Sequence, residues 1–174
     1  MIKFFFVSCL PHNDKAMTMK LSNIQILILR LAIGGLFLSI GINKINDGWL
    51  HNPEPLRSSL TSFHEHAGSA QRTYLDLVAI PYASVWSVLM AIGETAIGAS
   101  LLLGVCVRLS ALVGILMVFN FYAANGSIYS LNFFGSPWSA FLSSGLLILF
   151  LARAGRWAGV DALMVKMNPK GFCW

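Results

Sequence analysis

Charged side chains are scarce here: they make up 11% of the 174 residues, against 56% hydrophobic ones. A soluble domain carries roughly 25% charged residues. So few cannot clothe a globule in water, and lipid is the solvent that this composition fits. The net charge of +5 does not indicate a nucleic-acid partner, because the basic residues flank apolar runs and form no patch. They read instead as topology signals and contacts to anionic lipid. Cysteine is scarce too. Cys9, Cys106 and Cys173 are far apart and form no CxxC, which argues against a disulfide framework. There is no haem attachment motif, no GxGxxG and no P-loop. His51, His64 and His66 all fall outside the apolar runs. His64 and His66 are two apart and point to different helix faces, so no metal site is indicated.

What the chain does have is four long apolar runs, at Ile26–Ile42, Tyr82–Val107, Leu109–Ala124 and Trp138–Ala152. Each approaches the length a hydrocarbon core needs at about 1.5 Å of rise per residue. The fold expected is an all-α integral membrane protein, a four-transmembrane-helix bundle. The link between the second and third runs, at Val107 and Arg108, is so tight that these helices must be antiparallel neighbours. Pro137 suits the first turn of the fourth helix. The stretch Ile2–Leu10 is too short for a signal h-region and lacks a small-residue cleavage site. Residues 1–22 and 167–174 are therefore expected as cytoplasmic tails around a membrane domain at 23–166, with Met17 and Met19 as alternative starts.

Basic residues set the orientation. Lys3, Lys15, Lys20, Arg108, Arg153, Arg156, Lys166 and Lys170 fall on one side, and Lys44, Arg57 and Arg72 on the other. The richer side is expected in the cytoplasm, with both termini, in a cell (inner) membrane. Between helices 1 and 2 lies a long outer segment. Its Leu56, Leu60, Phe63 and Ala67 recur at helical spacing, so Glu54–Ala67 reads as an amphipathic helix on the membrane surface. Gln71–Ala79 reads as a second outer helix, and Val160–Met167 as a short interfacial one.

Polar residues inside apolar runs point to function. Glu94 lies mid-span, about 21 Å from Arg108, and Asn120 lies about 18 Å from it along the next helix. Ser143 and Ser144 share that layer. Arg30 sits two turns inside the first span, and its long side chain is expected to reach Glu94. One reading of Glu94, Asn120 and Arg30 is a polar clamp fixing helix packing. Another is a site that holds a quinone head group, since a buried carboxylic acid can donate both a hydrogen bond and a proton. Passage of an ion or solute is a third. Small residues at Gly34, Gly35, Gly41, Ala96, Gly98, Ser100 and Gly104 allow close helix approach. Trp49, Trp86, Trp138, Tyr82 and Tyr129 read as an interfacial aromatic belt.

Three stretches carry a resemblance: RLAIGGLFLSIGINK (Arg30–Lys44), GETAIGASLLLGVCVR (Gly93–Arg108) and GRWAGVD (Gly155–Asp161). Over about residues 24–165 the chain resembles the DoxX/DoxD family of four-helix membrane proteins. YLDLVAIP (Tyr74–Pro81) and FNFYAANG (Phe119–Gly126) look closer to the DoxD branch, which includes the membrane subunit of thiosulfate:quinone oxidoreductase. The resemblance implies a bundle that works beside the quinone pool. It carries over Arg30, Lys44, Glu94, Arg108 and Asn120. On it, Glu94 is the candidate catalytic residue, and Arg30, Lys44 and Asn120 are candidates for binding quinone. With no cofactor motif of its own, the chain would draw electrons from a membrane or peripheral oxidoreductase partner, one oxidising a sulfur compound being the form the resemblance suggests. A non-catalytic accessory subunit, a small transporter and a homo-oligomer stay open.

The topology can be checked by cysteine labelling of intact cells. A probe at Ser58 is expected to label and one at Lys170 is not; the reverse pattern would overturn the orientation.

Overall fold

The computed structural model describes residues 12–129, 137–156 and 159–167, with side chains from residue 23 to 165 within those stretches. Residues 1–11 and 168–174 of the expected tails, with Cys9 and Cys173, lie outside the described residues, along with Trp157 and the outer segment at 130–136. Among the described residues the order is α1 (His12–Asn46), α2 (Glu54–Glu65), α3 (Ser69–Tyr74) continuing into a π-helical turn (Leu75–Ala79), α4 (Ala83–Leu103), α5 (Val107–Ala124), α6 (Pro137–Leu151), a 3₁₀ turn (Ala154–Arg156) and α7 (Val160–Met167). No strand occurs among them.

Three helical stretches, Asn23–Asn46, Ala83–Leu103 and Val107–Ala124, are long and apolar enough to cross a membrane; α6 is apolar but shorter. At most 33% of each long stretch is buried inside the molecule. Much of what remains is apolar and outward-facing, including Ile28, Val85 and Leu116. Such a surface is stable against hydrocarbon and not against water. The chain is an all-helical membrane protein.

The bundle is built on the antiparallel pair α1 and α4, which meet more extensively than any other two helices. Hydrophobic burial does not drive helix association in lipid, so close backbone approach has to supply the attraction. Small residues permit it. A Cβ on Gly98 would fall on the backbone of Leu38, one on Gly41 on the backbone of Thr95, and one on Gly34 against Leu101 and Leu102. Gly35, in contrast, faces open space. α5 packs on α6 through Gly114 and Leu146, and α6 meets α1 where Gly145 receives the Ile33 side chain. Ile33, Phe37, Ile97, Leu101, Val118 and Leu146 fill the centre.

The α4–α5 link falls earlier than the sequence suggests, at Gly104–Cys106, and α5 begins at Val107. The chain reverses through left-handed Gly104 (φ +70°) and Cys106 (φ +48°). Gly104 N–H donates to Ser100 O at 2.9 Å, closing α4 in the manner of a glycine C-cap. Asp161, on α7, receives Cys106 N–H at 2.6 Å and Val107 N–H at 2.9 Å. It thus satisfies two of the otherwise orphaned donors at the α5 N-terminus.

At the opposite end, α2 and α3 form a cap. The expected amphipathic helix is there, but its apolar stripe does not turn to the membrane. Leu56 and Leu60 are buried against Leu75, Ala79, Ala83 and Ala124. The π-turn and the end of the bundle offer α2 a packed apolar surface. Gln71 ties α3 to α5 by donating to Ala124 O at 2.9 Å.

Gly98→Ala is expected to destabilise the protein by about 1–3 kcal/mol, because the new methyl meets backbone that cannot swing away. Gly35→Ala, into open space, should be neutral or slightly stabilising. Thermal unfolding of both variants in mild detergent checks the contrast.

Candidate functional site

The register of α1 on α4 decides which polar residues meet. With Gly41 over Thr95 and Leu38 over Gly98, the last turn of α1 comes level with the turn of α4 that precedes Thr95. Lys44 projects from the first and Glu94 from the second. Lys44 Nζ donates to Glu94 Oε1 at 2.6 Å, and both side chains are largely shielded, at 19% and 15% exposure. Lys44 Nζ also stands 5.0 Å from the ring centre of Trp49, a cation–π contact. Trp49 is held in turn by Ser87, whose hydroxyl donates to Trp49 O at 2.5 Å.

Glu94 Oε2 is buried and has no hydrogen-bond partner among the described residues. A buried polar oxygen left unsatisfied is costly and invites a functional explanation. The pair lies on the wall of a cavity of about 230 Å³ drawn from α1, α4, α5 and α6, including Phe37, Ile40, Met90, Val118, Tyr122 and Leu142. Apart from Lys44, Glu94 and the Tyr122 hydroxyl its lining is apolar, so each polar group there acts in a low-dielectric setting.

Arg30 does not join this site. It is fourteen residues before Lys44 on the same helix, about 21 Å along the axis, and the register carries it past the end of α4. The expected Arg30–Glu94 contact is thereby ruled out by helix geometry. Arg30 is 2% exposed and donates to Ala154 O at 3.2 Å. Asp161 attracts it electrostatically from α7. Arg30 belongs to the far end of the bundle, where it helps hold the 3₁₀ turn and α7 beneath α1.

Asn120 lies close to the site but in a neighbouring compartment. Its Oδ1 accepts a hydrogen bond from the Tyr74 hydroxyl at 3.1 Å, linking α5 to the cap. Burial pushes the Tyr74 phenol above its ordinary pKa, with Tyr129 adding to the shift and the bond to Asn120 opposing it. Asn120 lines a groove between α4 and α5 of about 260 Å³, with Trp86, Leu89, Gly93, Val113 and Leu116. Met90 and Met117 border both this groove and the Lys44–Glu94 cavity. Arg108 stacks over Phe150 at 4.7 Å, away from both. Ser144 bonds back to its own helix at Ala140 O, while Ser143 Oγ is buried without a partner among the described residues.

Asp161 is the residue that reading the spans alone passes over. It is 1% exposed, and Gly155 leaves room for its carboxylate, since a Cβ there would overlap it. The signal was an acid in the apolar run VDALMV directly after a glycine. Among the described residues no cluster of three or more His, Cys, Asp or Glu side chains could hold a metal.

Residues 25–125, more than half of the chain, match the protein-family model described as DoxX. No curated protein and no solved structure matches the chain.

If Lys44 and Glu94 are energetically coupled as the geometry requires, Lys44→Met should destabilise more in the native background than beside Glu94→Gln. The double-mutant cycle is expected to give about 1–3 kcal/mol of coupling. The corresponding Arg30–Glu94 cycle should give none. Both are read by thermal or denaturant unfolding in detergent.

Proposed function

Because the chain belongs to the DoxX family, we propose that it is the membrane subunit of a quinone-linked oxidoreductase and that Lys44 and Glu94 form its quinone-head site. The observation that carries this reading is the buried, unengaged Oε2 of Glu94, in a helix apolar enough to cross a membrane and on the wall of an apolar cavity. The groups present fit such a head. Lys44 has N–H bonds beyond the one spent on Glu94, and a quinone carbonyl is an acceptor. The rest of the cavity is apolar, as a hydrophobic ring requires.

A quinone bound here would take up two electrons, supplied by a partner oxidoreductase, together with two protons. The chain's own part is electrostatic and protonic. Lys44 orients the carbonyl and offsets negative charge that develops on its oxygen. Glu94 takes up a proton at Oε2 and passes it to that oxygen. Trp49 and Ser87 fix the direction of the Lys44 ammonium. The sulfur-compound donor suggested by the DoxD-like stretches belongs to this proposal, as do placement in the cell (inner) membrane with both termini in the cytoplasm and assembly with partner subunits. On that orientation the cap faces outward, and Arg30, Arg108 and Asp161 face the cytoplasm.

A second reading is favoured by one observation: the Lys44–Glu94 pair bridges the same two helices that glycine packing already joins. In that reading the pair is a clamp, and the chain is a non-catalytic accessory subunit.

Glu94→Gln separates the two. It keeps size and hydrogen-bonding capacity but removes the titratable proton. If Glu94 delivers protons, quinone reduction by the purified complex, normalised to assembled protein, should fall about 10²–10⁴-fold while assembly persists. Unchanged turnover in a fully assembled variant would remove Glu94 from the chemistry and leave the clamp.

A further inference from the structure

Two cavities separated only by side chains make one site when those side chains can move. The Lys44–Glu94 cavity and the α4–α5 groove share Met90 and Met117 as a common wall. Methionine is the most adaptable apolar side chain, unbranched and with three rotatable bonds. Gly93 stands beside the wall, and a Cβ there would press on the Met117 sulfur and methyl at 3.3 Å. The missing side chain at Gly93 therefore gives Met117 its room.

The groove itself is built for an apolar chain. Its one side-chain amide, Asn120, already accepts from Tyr74. The other lining groups are aromatic or aliphatic, apart from Gly93 and the Trp86 N–H, and that N–H donates to Val78 O. The groove opens sideways onto the bilayer between Leu89 and Leu116, which are 51% and 61% exposed. α4 packs far less extensively on α5 than on α1, so this seam is the looser one.

We propose that the α4–α5 groove holds the isoprenoid tail of a membrane quinone whose head lies at Lys44 and Glu94, and that Met90 and Met117 form the passage between the two. This inference rests on the reading of Lys44 and Glu94 given above. It adds the route: the substrate enters laterally from the hydrocarbon layer, across the two methionines, not from water at either end of the bundle. It also assigns the substrate class, a long-chain lipophilic quinone in preference to a tailless soluble one.

The test uses the full-length protein in lipid nanodiscs and two photoreactive quinones, one with a diazirine on the ring and one with a diazirine on the isoprenoid chain. Adducts are mapped by mass spectrometry, with excess unlabelled long-chain quinone as competitor. The ring probe should label the cavity wall near Tyr122 or Leu142, and the tail probe should label Leu89, Val113 or Leu116; both should be competed away. A parallel measurement compares quinone affinity of the native protein with that of Leu116→Trp, a lipid-facing position whose change leaves the core intact. The long-chain quinone should lose about tenfold more affinity than a tailless analogue, the scale set by filling an apolar pocket. Competed ring labelling of the cavity with tail labelling elsewhere, for example at Ile40 and Phe121, would overturn the groove and keep the head site. Equal affinity loss for both quinones would do the same. Labelling that unlabelled quinone does not compete, for both probes, would remove the head site and the groove together.

Discussion

The close backbone contact between α1 and α4 is the constraint from which the other features follow. Two helices in lipid gain nothing from hiding apolar surface from each other, since lipid is equally apolar. They adhere where their backbones can approach, and Gly98 on Leu38 and Gly41 on Thr95 provide that approach. Such a contact admits one register. Slipping α1 by a turn would set side chains where only hydrogen atoms fit. With the register fixed, Lys44 has to meet Glu94, and Arg30 has to lie beyond the end of α4.

The two ends of the bundle are closed by different means. At one end a charged pair of elements is used: Asp161 caps the first amides of α5, and Arg30 is buried nearby, bound to the carbonyl of Ala154. A buried carboxylate is tolerable only with such donors and a compensating charge. The tight Gly104–Cys106 turn, the 3₁₀ turn and α7 are thereby fastened to one another. At the other end the closure is mostly apolar, with Leu56 and Leu60 of α2 seated on Leu75 and Ala79. Polar ties at Gln71 and Tyr74 join that cap to α5. The Lys44–Glu94 cavity lies between these closures.

The Lys44–Glu94 pair carries an internal tension. Bringing two charges into a low-dielectric interior costs more than a simple packing contact would, and an apolar pair in their place would often hold helices as well. Glycine packing already holds α1 to α4. The pair sits at a junction that glycine packing already joins, and it leaves one carboxylate oxygen unengaged. The same cannot be said of Asp161, whose two oxygens both accept backbone hydrogen bonds.

The apolar helices were legible in the sequence because lipid imposes a coarse rule: long apolar runs bounded by charge and proline form helices suited to it. α4, α5 and α6 end within a few residues of the positions this rule gives. Glu94 was legible as a shielded polar position for the same reason, since an acid in an apolar run is conspicuous wherever its partner lies. So was α2, whose leucines recur at helical spacing. Partners were not legible. Arg30 and Lys44 are both basic residues on one helix, and choosing between them needs the register of α1 on α4, which depends on where two glycines meet a facing backbone in three dimensions. The direction of the α2 stripe, toward the bundle and not the membrane, was hidden because an amphipathic pattern fixes a face and not what covers it. Asp161 was overlooked as a cap because its partners, Cys106 and Val107, lie more than fifty residues away. Sequence alone determined which segments form long apolar helices and where polar groups interrupt them; tertiary structure decided which of those groups touch, because contact depends on helix register and small-residue packing that no local pattern encodes.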